Sequence, residues 1–339
     1  MKVGLVGCGS IGRVHAMAIN NIKGAQLCAC ADIKSEKARI FSDRYTGGQA
    51  AVYPDLEAML SQEELDLVHI CTPHMCHVPM AITVLQKGLH AFMEKPPAIG
   101  RPEFEQLKAV QAASCTRLGI CFQNRYNEAT VKVTELVAGG TFGNLRGGRA
   151  FVTWNRDASY YTGSEWRGRL ALEGGGVLMN QSIHTLDLLL MWMGAPVMVE
   201  ASMQNHHLKE YIEVEDTIEA YLTFTKGDNP VRAVFYATNT YVSDEPVFVE
   251  LSFDGGFIRL EGDHIWYKDS THQKPEYWQA GRQETLGKDY WGSGHAACIR
   301  DFYQCLAEGK PYQNDLKSTE TTFDTVMKIY ESAGAEAER

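Results

Sequence analysis

The chain has 339 residues, of which 32 are Lys or Arg and 42 are Asp or Glu, so its formal charge is −10. This length favours two domains over one or many, because domains of roughly 100–200 residues are typical. A hydrophobic content of 45% excludes extended disorder. The acidic balance argues against a general nucleic-acid binder, which would present a basic face. No apolar run approaches the ~18 residues of a transmembrane helix, so we expect no membrane partner.

The nine cysteines are odd in number, and their spacing forms no disulfide framework. The chain starts directly with the strand pattern of residues 2–6, without the basic and apolar regions of a signal peptide. Both features favour a reducing cytoplasm as the location of the protein. The histidine–cysteine group between His74 and His77 has no second ligand pair at metal spacing, so we predict no metal site.

Up to about residue 122, short apolar runs alternate with segments of helical period. The predicted strands cover 3–6, 26–31, 67–71, 90–93 and 117–122, and the predicted helices cover 11–22, 35–45, 76–87 and 101–113. Strands that alternate with helices predict βαβ units, a parallel sheet and right-handed crossovers. The strands are continuously apolar, as expected when helices cover both faces of the sheet.

After residue 123 the pattern changes to that of an α+β domain. The predicted elements are a helix over 129–137, a strand over 145–156, a glycine turn at 174–176 with an apolar helix to 193, strands over 214–224, 231–238, 247–253, 257–261 and 265–268, and closing helices over 295–308 and 318–333. Tight turns at Asp254-Gly255-Gly256 and Gly262-Asp263 join consecutive strands. This order predicts a large, open, mainly antiparallel sheet. An open sheet leaves one face to be covered, which favours a homodimer or homotetramer formed through it.

The sharpest local motif is Gly7-Cys8-Gly9-Ser10-Ile11-Gly12, which follows a strand and opens a helix. Gly7 permits the tight turn, Gly9 lets the backbone approach a pyrophosphate, and Gly12 lets helix and strand pack closely. The free N–H groups at the start of the helix, from Ser10 and Ile11 onward, complete a dinucleotide-binding site. Asp32 stands 20 residues after Gly12. An acid at that position binds the ribose hydroxyls and repels a 2′-phosphate, so we predict NAD rather than NADP.

The segment Glu94-Lys95-Pro96-Pro97 directly follows the predicted strand 90–93. A residue at the carboxyl end of a parallel strand lies in the ligand crevice, and here two prolines fix the lysine in position. Next to an oxidised nicotinamide the ammonium form is disfavoured by like charge. Lys95 is therefore a candidate to hydrogen-bond or deprotonate a substrate hydroxyl. A lysine before two prolines is also common on protein surfaces, and the residues alone leave both interpretations open.

The dinucleotide motif, Cys71-Thr72-Pro73 followed by His77, Glu94-Lys95-Pro96, and Gly174-Gly175-Gly176 followed by His184 and Asp187 occur in this order. The whole chain thereby resembles the Gfo/Idh/MocA family of glucose–fructose oxidoreductases and inositol dehydrogenases. The resemblance implies a Rossmann domain (1–122), a substrate-binding and oligomerisation domain (123–339) whose terminal helix can return to the first, and NAD(P)-dependent oxidoreduction of a sugar or polyol. The implied cofactor-binding residues beyond the dinucleotide motif and Asp32 are Thr72, Pro73, His77, Glu94, Lys95, Gln123, Trp166 and Arg167.

The helix after the three glycines carries the second group of candidate catalytic residues. Asn180 and His184 are four residues apart and share a helical face, and Asp187 follows three residues later. The resemblance implies His184 as the acid/base candidate beside Lys95, although a lone histidine among apolar residues is often structural. Many family members have aspartate in place of Asn180, and asparagine cannot stabilise an imidazolium by charge. The predicted catalytic set is Lys95, His184 and Asn180, with either Lys95 or His184 taking the hydroxyl proton. The Asn-Gln-x-x-His variant resembles the subgroup that oxidises sugar hydroxyls, including those of nucleotide-linked sugars.

Candidate substrate contacts come from segments that mix aromatic, arginine and small polar residues, as sugar sites do. One such segment spans residues 154–161, and another lies at the predicted domain junction, residues 123–126. Ordinary interdomain packing is the alternative role for each of these residues. The predicted substrate set is Lys95, Arg125, Tyr126, Trp154, Arg156, Tyr160, Asn180 and His184.

Two other functions stay open at the level of sequence. The first is NAD-assisted glycoside cleavage, which releases a free aglycone without net formation of NADH. The second is a non-enzymatic regulator that senses a dinucleotide or a sugar. Such a sensor need not keep Lys95 and His184, so their presence favours an NAD(P)-dependent dehydrogenase with a small sugar or polyol as its partner.

Overall fold

The computed structural model describes residues 1–226, 229–281, 286 and 292–334. These residues form two compact units. The first contains Met1–Gln123 together with the described residues between 284 and 319, and the second contains the remaining described residues. The predicted boundary at residue 122 lies beside the observed one at Gln123. A single division of the chain does not account for the described residues between 284 and 319, which belong to the first unit. Most of these residues form the penultimate helix of the chain, Gly294–Glu308, rather than the last helix.

The first unit is built on a six-stranded parallel sheet with the order β3-β2-β1-β4-β5-β6. Its strands are β1 (Lys2–Val6), β2 (Gln26–Ala31), β3 (Ala51–Tyr53), β4 (Leu67–Ile70), β5 (His90–Glu94) and β6 (Leu118–Cys121). Its helices are α1 (Ser10–Asn20), α2 (Ser35–Thr46), α3 (Leu56–Gln62), α4 (His77–Gln86), α5 (Arg101–Ala113) and, from later in the chain, α10 (Gly294–Glu308). The strand order reverses between β1 and β4, and ligands of such sheets bind beyond the carboxyl ends of the strands at this point.

The parallel sheet matches the predicted apolar runs closely, and all four residues of β4 are buried. The sequence-based prediction missed β3 and α3. The strand β3 has only three residues at the edge of the sheet, and none of them is fully buried. The helix α3 has seven residues and begins at Asp55, whose carboxylate accepts a hydrogen bond from the Ala58 N–H (2.7 Å). Elements this short give little periodicity to detect.

The second unit is built on an eight-stranded sheet with the order β14-β13-β12-β11-β7-β10-β9-β8. Its strands are β7 (Leu145–Thr153), β8 (Met198–Gln204), β9 (Thr217–Lys226), β10 (Asn229–Thr238), β11 (Phe248–Phe253), β12 (Gly256–Glu261), β13 (His264–Lys268) and β14 (Glu276–Gln279). All neighbouring strands are antiparallel except β7 and β10. The two predicted turns join β11 to β12 and β12 to β13, so the large, mainly antiparallel sheet is confirmed.

The remaining helices are α6 (Glu128–Ala138), α7 (Ala158–Thr162), α8 (Leu170–Glu173), α9 (Ile183–Met193) and α11 (Leu316–Ser332). Two predictions differ in detail. The strand predicted to residue 156 ends at Thr153 as β7. The long helix predicted to follow the glycine turn starts as a π-helical turn, Val177–Ser182, and becomes α-helical only at Ile183. No helix in the described part of the chain is long and apolar enough to span a membrane.

One face of the eight-stranded sheet is covered by α6 and α9. Strand and helix approach closely there, since a Cβ atom on Gly148 would lie 2.7 Å from the Met193 sulfur. Along β8 to β10, alternate residues are instead exposed. Tyr221 and Val234 are directly paired across two of these strands, and both side chains are exposed. The sheet therefore has one packed face and one face with exposed apolar side chains.

Candidate active site

The dinucleotide turn (residues 7–12) connects β1 to α1, and glycine is favoured at its three glycine positions for different structural reasons. Gly7 has a φ of +95°, and a Cβ there would lie 2.4 Å from the Cys71 carbonyl oxygen. A Cβ on Gly12 would lie 2.3 Å from the Gly7 carbonyl oxygen. A Cβ on Gly9 would meet no atom within 4 Å, so this position opens to space in front of the helix. Two glycines thus permit close packing, and the third leaves room for a ligand beside the backbone.

Asp32 follows β2 and connects it to the dinucleotide turn. Its carboxylate accepts hydrogen bonds from the backbone N–H groups of Cys8 (3.0 Å) and Lys34 (2.9 Å). Because a carboxylate has about four acceptor positions, these two bonds leave capacity for ribose hydroxyls. At the start of α1 no side chain caps the helix, so its N–H groups are available to phosphate oxygens. The residues at this end of the sheet therefore fit a bound dinucleotide.

The carboxyl ends of β4 and β5 lead into Thr72-Pro73 and Lys95-Pro96. His77, at the start of α4, lies between these segments, with its ring nitrogens 3.0 Å from the carbonyl oxygens of Thr72 and Pro96. Its side chain is fully buried, and burial lowers the pKa of the ring although both carbonyls act in the opposite direction. Lys95 itself is half-buried. His77 thus links the two strand-end segments and holds them in a fixed relative position.

Behind Lys95, four buried side chains form a continuous hydrogen-bonded chain. The Tyr303 hydroxyl lies 2.9 Å from His69 Nε2, His69 Nδ1 lies 2.8 Å from His15 Nδ1, and His15 Nε2 lies 2.9 Å from Glu94 Oε1. Burial lowers the pKa of His69 well below its usual range. Because an ionised Glu94 can only accept, His15 Nε2 donates the hydrogen bond between these two side chains.

The Glu94 carboxylate also accepts a hydrogen bond from the Lys95 backbone N–H (3.3 Å). Burial raises the pKa of Glu94, but the hydrogen bond from His15 and the charges of His15, His295 and Lys95 outweigh it and lower the pKa. The buried network therefore keeps Glu94 ionised directly beside Lys95. The Cys121 sulfur also lies close, and ligand atoms of His15, Glu94 and Cys121 are within 4.8 Å of one another. Hydrogen bonding already accounts for the short contact between His15 and Glu94.

In the second unit, the triple-glycine turn (residues 174–176) connects α8 to the π-helical turn. Gly174 ends α8 with a φ of +82°. A Cβ on Gly175 would lie 1.9 Å from the Tyr330 hydroxyl, and one on Gly176 would lie 1.9 Å from the Glu215 carbonyl oxygen. The close backbone approach predicted for these glycines is thus present at each of the last two positions.

Two buried carboxylates flank the triple-glycine turn. Glu215 accepts hydrogen bonds from the N–H groups of Gly176 (2.9 Å) and Leu178 (3.1 Å) and from the Tyr330 hydroxyl (2.9 Å). Burial raises the pKa of Glu215, and these hydrogen bonds act against it. On the other side, Glu173 accepts from the Gly168 N–H and from the Asn180 side-chain amide. The turn is therefore held by carboxylates rather than by apolar packing alone.

Asn180 and His184 are both half-buried. Asn180 lies in the π-helical turn, and His184 lies in the first turn of α9. Single π turns within helices occur frequently at functional sites. Asp187, one turn further, forms an ion pair with Arg125, with Nε–Oδ2 and Nη2–Oδ1 distances of 2.7 and 2.6 Å. The Thr322 hydroxyl also donates to Asp187 (2.6 Å). Arg125, predicted as a substrate contact, thus fastens α9 to the 3-10 turn that also contains the half-buried Tyr126.

Five predicted site residues gather into one group, which we call the arginine–aromatic cluster: Trp154, Arg156, Tyr160, Trp166 and Arg167. The Arg156 guanidinium lies 5.0 Å from the Trp154 ring centroid and 5.5 Å from that of Tyr160. The Arg167 guanidinium lies 4.5 Å from the Tyr160 ring and 5.4 Å from the Trp166 ring. The Tyr160 ring is therefore contacted by two guanidinium groups, an arrangement in which the cation–π attraction offsets part of their mutual repulsion.

The cluster extends through residues that the sequence did not identify. Arg156 pairs with Asp244 (2.8 and 3.0 Å), and the Tyr160 hydroxyl accepts from Gln181 Nε2 (3.2 Å). Asn239 Nδ2 donates to Gln181 Oε1 (3.1 Å) and to the Tyr161 hydroxyl (2.8 Å). Gln181 adjoins Asn180 in the Asn-Gln-x-x-His motif, so proximity to that motif was the one available signal. Asn239, Asp244 and Glu173 stand outside every motif.

With this geometry in place, comparisons with known proteins identify the family. A family model described as an oxidoreductase family with an NAD-binding Rossmann fold matches residues 1–124, and the C-terminal domain model of the same Gfo/Idh/MocA group matches residues 130–259. The chain belongs to the Gfo/Idh/MocA family. Family membership confirms the predicted resemblance, the Rossmann domain, the NAD-dependent oxidoreductase class and the cofactor NAD.

Relatives of known function have modest sequence identity to this Gfo/Idh/MocA member. D-glucoside 3-dehydrogenase of Escherichia coli is 27% identical over 75% of this chain and 70% of its own. D-apiose dehydrogenase of Paraburkholderia graminis is 28% identical over 95% of this chain and 86% of its own. The WlbA dehydrogenase of Bordetella pertussis, solved with NADH and UDP-GlcNAcA, is 26% identical, with a TM-score of 0.83 over 98% of this chain and 96% of that one.

Proposed function

We propose that this protein moves hydride between a secondary hydroxyl of a sugar, glycoside or cyclitol, or the matching ketone, and the nicotinamide of NAD. One observation carries the proposal: the dinucleotide turn and Lys95 lie at the carboxyl ends of β1 and β5, which are separated only by β4 in the parallel sheet. A cofactor site and a proton-transferring side chain therefore share one edge of the sheet. The relatives D-glucoside 3-dehydrogenase and D-apiose dehydrogenase support the substrate class.

We assign the binding of NAD to the carboxyl ends of the parallel strands and, as the family resemblance implies, to Trp166 and Arg167. NAD, when bound, supplies the hydride acceptor. We assign to its binding the residues Gly7, Gly9, Ser10, Ile11, Gly12, Asp32, Thr72, Pro73, His77, Glu94, Lys95, Gln123, Trp166 and Arg167. Within this set the buried His77 and Glu94 act by holding Thr72 and Lys95 in place.

Lys95 and His184 are the groups to which we assign proton transfer. A neutral amine or imidazole accepts the proton of a substrate hydroxyl during oxidation and returns it during reduction. Asn180, on the same helical face as His184, orients that ring or the substrate hydroxyl. In this scheme loss of Lys95 or of His184 lowers kcat much more than it weakens NAD binding.

The arginine–aromatic cluster supplies the remaining substrate contacts. Its indole and phenol rings offer apolar faces to a sugar ring, and its guanidinium groups donate hydrogen bonds to hydroxyl or carboxylate oxygens. The Asp244 carboxylate and the aromatic rings fix the Arg156 side chain, so little conformational entropy is lost when it binds a ligand.

Neither glycoside cleavage nor regulation is favoured by the comparisons, since the named relatives are dehydrogenases. One experiment separates all three functions. The purified protein is supplied with NAD or NADP and a panel of inositols, free sugars, glycosides and nucleotide sugars, while NADH absorbance and released aglycone are both recorded. We expect stoichiometric NADH and no aglycone. Aglycone without NADH would establish cleavage, and binding without either product would establish a sensor.

The location and assembly of the protein are also part of the proposal. All nine cysteines lie in the described residues and are free thiols, which supports a reducing cytoplasm. The exposed Tyr221 and Val234 on the open sheet face support a homodimer or homotetramer formed through that face. Light scattering tests the assembly: Tyr221→Glu should lower the measured mass to that of one chain, whereas an unchanged assembly would exclude this face.

A further inference from the structure

His15 lies in α1, three residues after Gly12, and its side chain is fully buried. Its Nε2 lies 2.9 Å from Glu94 Oε1, and the other Glu94 oxygen accepts the backbone N–H of Lys95 (3.3 Å). Two hydrogen bonds therefore lead from the helix that opens at the dinucleotide turn to the lysine after β5.

The His15 ring is also held on its other side. Its Nδ1 lies 2.8 Å from His69 Nδ1, and His69 Nε2 lies 2.9 Å from the Tyr303 hydroxyl. The Phe92 ring packs against the imidazole, with the two centroids 5.7 Å apart. Because both ring nitrogens have a partner, the ring cannot turn without breaking both hydrogen bonds, and its Nε2 stays directed at Glu94.

The titratable groups around the Glu94 carboxyl come from every neighbouring element. Besides Lys95, they are the thiols of Cys71 and Cys121, the imidazoles of His69, His77 and His295, and His15 itself. Burial raises the pKa of both thiols and lowers the pKa of those three imidazoles, so all five are neutral near pH 7. The interactions that keep Glu94 ionised near neutral pH are therefore those with Lys95 and His15.

Of these two, His15 has the larger effect. Burial raises the pKa of Glu94, and the hydrogen bond from His15 is the largest of the interactions that lower it. Without this donor, desolvation favours the neutral carboxyl. A neutral Glu94 no longer attracts the Lys95 ammonium, and it accepts the Lys95 N–H more weakly than a carboxylate does. Both the charge and the geometry beside Lys95 thus depend on a residue of α1.

We propose that His15 is a positioning residue, which holds the ionised Glu94 carboxylate against Lys95 from the helix that opens at the dinucleotide turn. The inference rests on the proposed function, because it takes Lys95 as a proton-transferring group. It extends that function to a residue of α1 that the predicted site residues do not include.

A double-mutant cycle tests this role. His15→Leu removes the donor and keeps an apolar side chain in the core, and Glu94→Gln removes the charge while keeping the shape of the side chain. If His15 acts through Glu94, the double variant loses no more activity than either single variant. Tyr303→Phe is the matched control, because it removes a hydrogen bond from the same buried chain and leaves the contact between His15 and Glu94 in place.

We expect kcat to fall about tenfold in His15→Leu, about tenfold in Glu94→Gln, and about tenfold in the double variant. The Kd of NAD, measured by calorimetry, should change less than about threefold in each, because the N–H groups at the start of α1 are untouched. Tyr303→Phe should unfold at a lower urea concentration and keep kcat within about twofold. A fall of roughly a hundredfold in the double variant, or a Tyr303→Phe variant as slow as His15→Leu, would overturn the inference.

A second readout needs no substrate. In protein labelled with ¹³C-glutamate, the carboxyl signal of Glu94, identified by its loss in Glu94→Gln, reports whether the group is ionised. At pH 7 it should be that of a carboxylate in the natural protein and in Tyr303→Phe, and it should move towards that of a neutral carboxyl in His15→Leu. A signal that His15→Leu leaves unmoved would refute the inference.

Two further outcomes keep the test decisive. If His15→Leu fails to fold, Glu94→Gln alone must lower kcat about tenfold, and an unchanged kcat would refute the inference. Absence of turnover in the natural protein would instead refute the proposed function, while the Glu94 carboxyl signal still tests the role of His15. The two failures are therefore distinguishable.

Discussion

The two units of the protein encode their proposed site residues in different ways. In the first unit these residues follow the carboxyl ends of parallel strands, so each lies in a short motif: the dinucleotide turn after β1, Asp32 after β2 and Lys95 after β5. In the second unit the arginine–aromatic cluster, Gln181 and Asn239 come from the short helix α7, the π-helical turn and several loops, and side-chain hydrogen bonds join Tyr160, Gln181 and Asn239. The proposed site residues of the parallel sheet can thus be predicted from short sequence motifs. In the second unit, long-range contacts bring the corresponding residues together.

The largest expected effect tests the strand-end arrangement of the first unit. Lys95→Met should lower kcat by about 10²- to 10⁴-fold, because a proton-transferring group is removed while the apolar part of the side chain remains. NAD binding, measured by calorimetry, should change little. Lys87→Met, at the end of α4, replaces an exposed lysine and should leave kcat unchanged. Equal activity of Lys95→Met and the natural protein would remove Lys95 from the reaction.

The second effect concerns cofactor choice. Asp32→Ala removes the carboxylate that repels a 2′-phosphate and binds the ribose hydroxyls, so the ratio of kcat/KM for NAD to that for NADP should fall about 10- to 100-fold. Asp43→Ala, on the exposed face of α2, is the control and should keep the natural ratio. A ratio that Asp32→Ala leaves unaltered would show that another group selects the cofactor.

The third effect is on the stability of the first unit. Burial lowers the pKa of His295 to about 4, with Glu94 opposing the shift and His15 and Lys95 adding to it. His295 therefore takes up a proton near pH 6.5 in the unfolded chain but only near pH 4 in the folded chain. The free energy of unfolding consequently decreases as the pH falls from 6.5 towards 4. At pH 5 this decrease is about 2 kcal/mol.

Urea unfolding at pH 7 and pH 5 measures this loss. In His295→Gln the difference between the two pH values should shrink by about 2 kcal/mol, because the substituted side chain does not titrate. His206→Gln removes an exposed histidine of the second unit and should leave the difference unchanged. If His295→Gln shows the same pH dependence as the natural protein, His295 does not resist protonation in the folded state.

The smallest effect tests the second unit. Tyr160→Leu removes the ring between Arg156 and Arg167, and should raise the KM for the sugar about tenfold while the KM for NAD stays the same. Tyr160→Phe keeps the ring and loses only the hydrogen bond with Gln181, so its KM should rise less. Equal values for the two variants would assign the effect to the hydroxyl group and not to the ring.

The same contrast explains what the sequence predicted. Asp32 and Lys95 are predicted as site residues because glycine spacing and strand ends are local features of the sequence. His15 and His69 belong to ordinary helix and strand patterns, and only the parallel pairing of β1 with β4, and of β4 with β5, brings their surroundings together. Glu173 and Asn239 carry no local signal, since their role depends on partners that the turn at residues 174–176 and the end of β10 place beside them. The π-helical turn was also missed, because its apolar residues read as part of one α-helix.

The proposed reaction is hydride transfer from a substrate carbinol carbon to nicotinamide. The most direct test uses a substrate from the panel deuterated at the carbon that is oxidised, with the product nucleotide analysed by mass spectrometry. We expect one deuterium in each NADH and one ketone per NADH formed, with both lost in Lys95→Met. NADH without deuterium, or consumption of the substrate without accumulation of NADH, would contradict the proposed reaction.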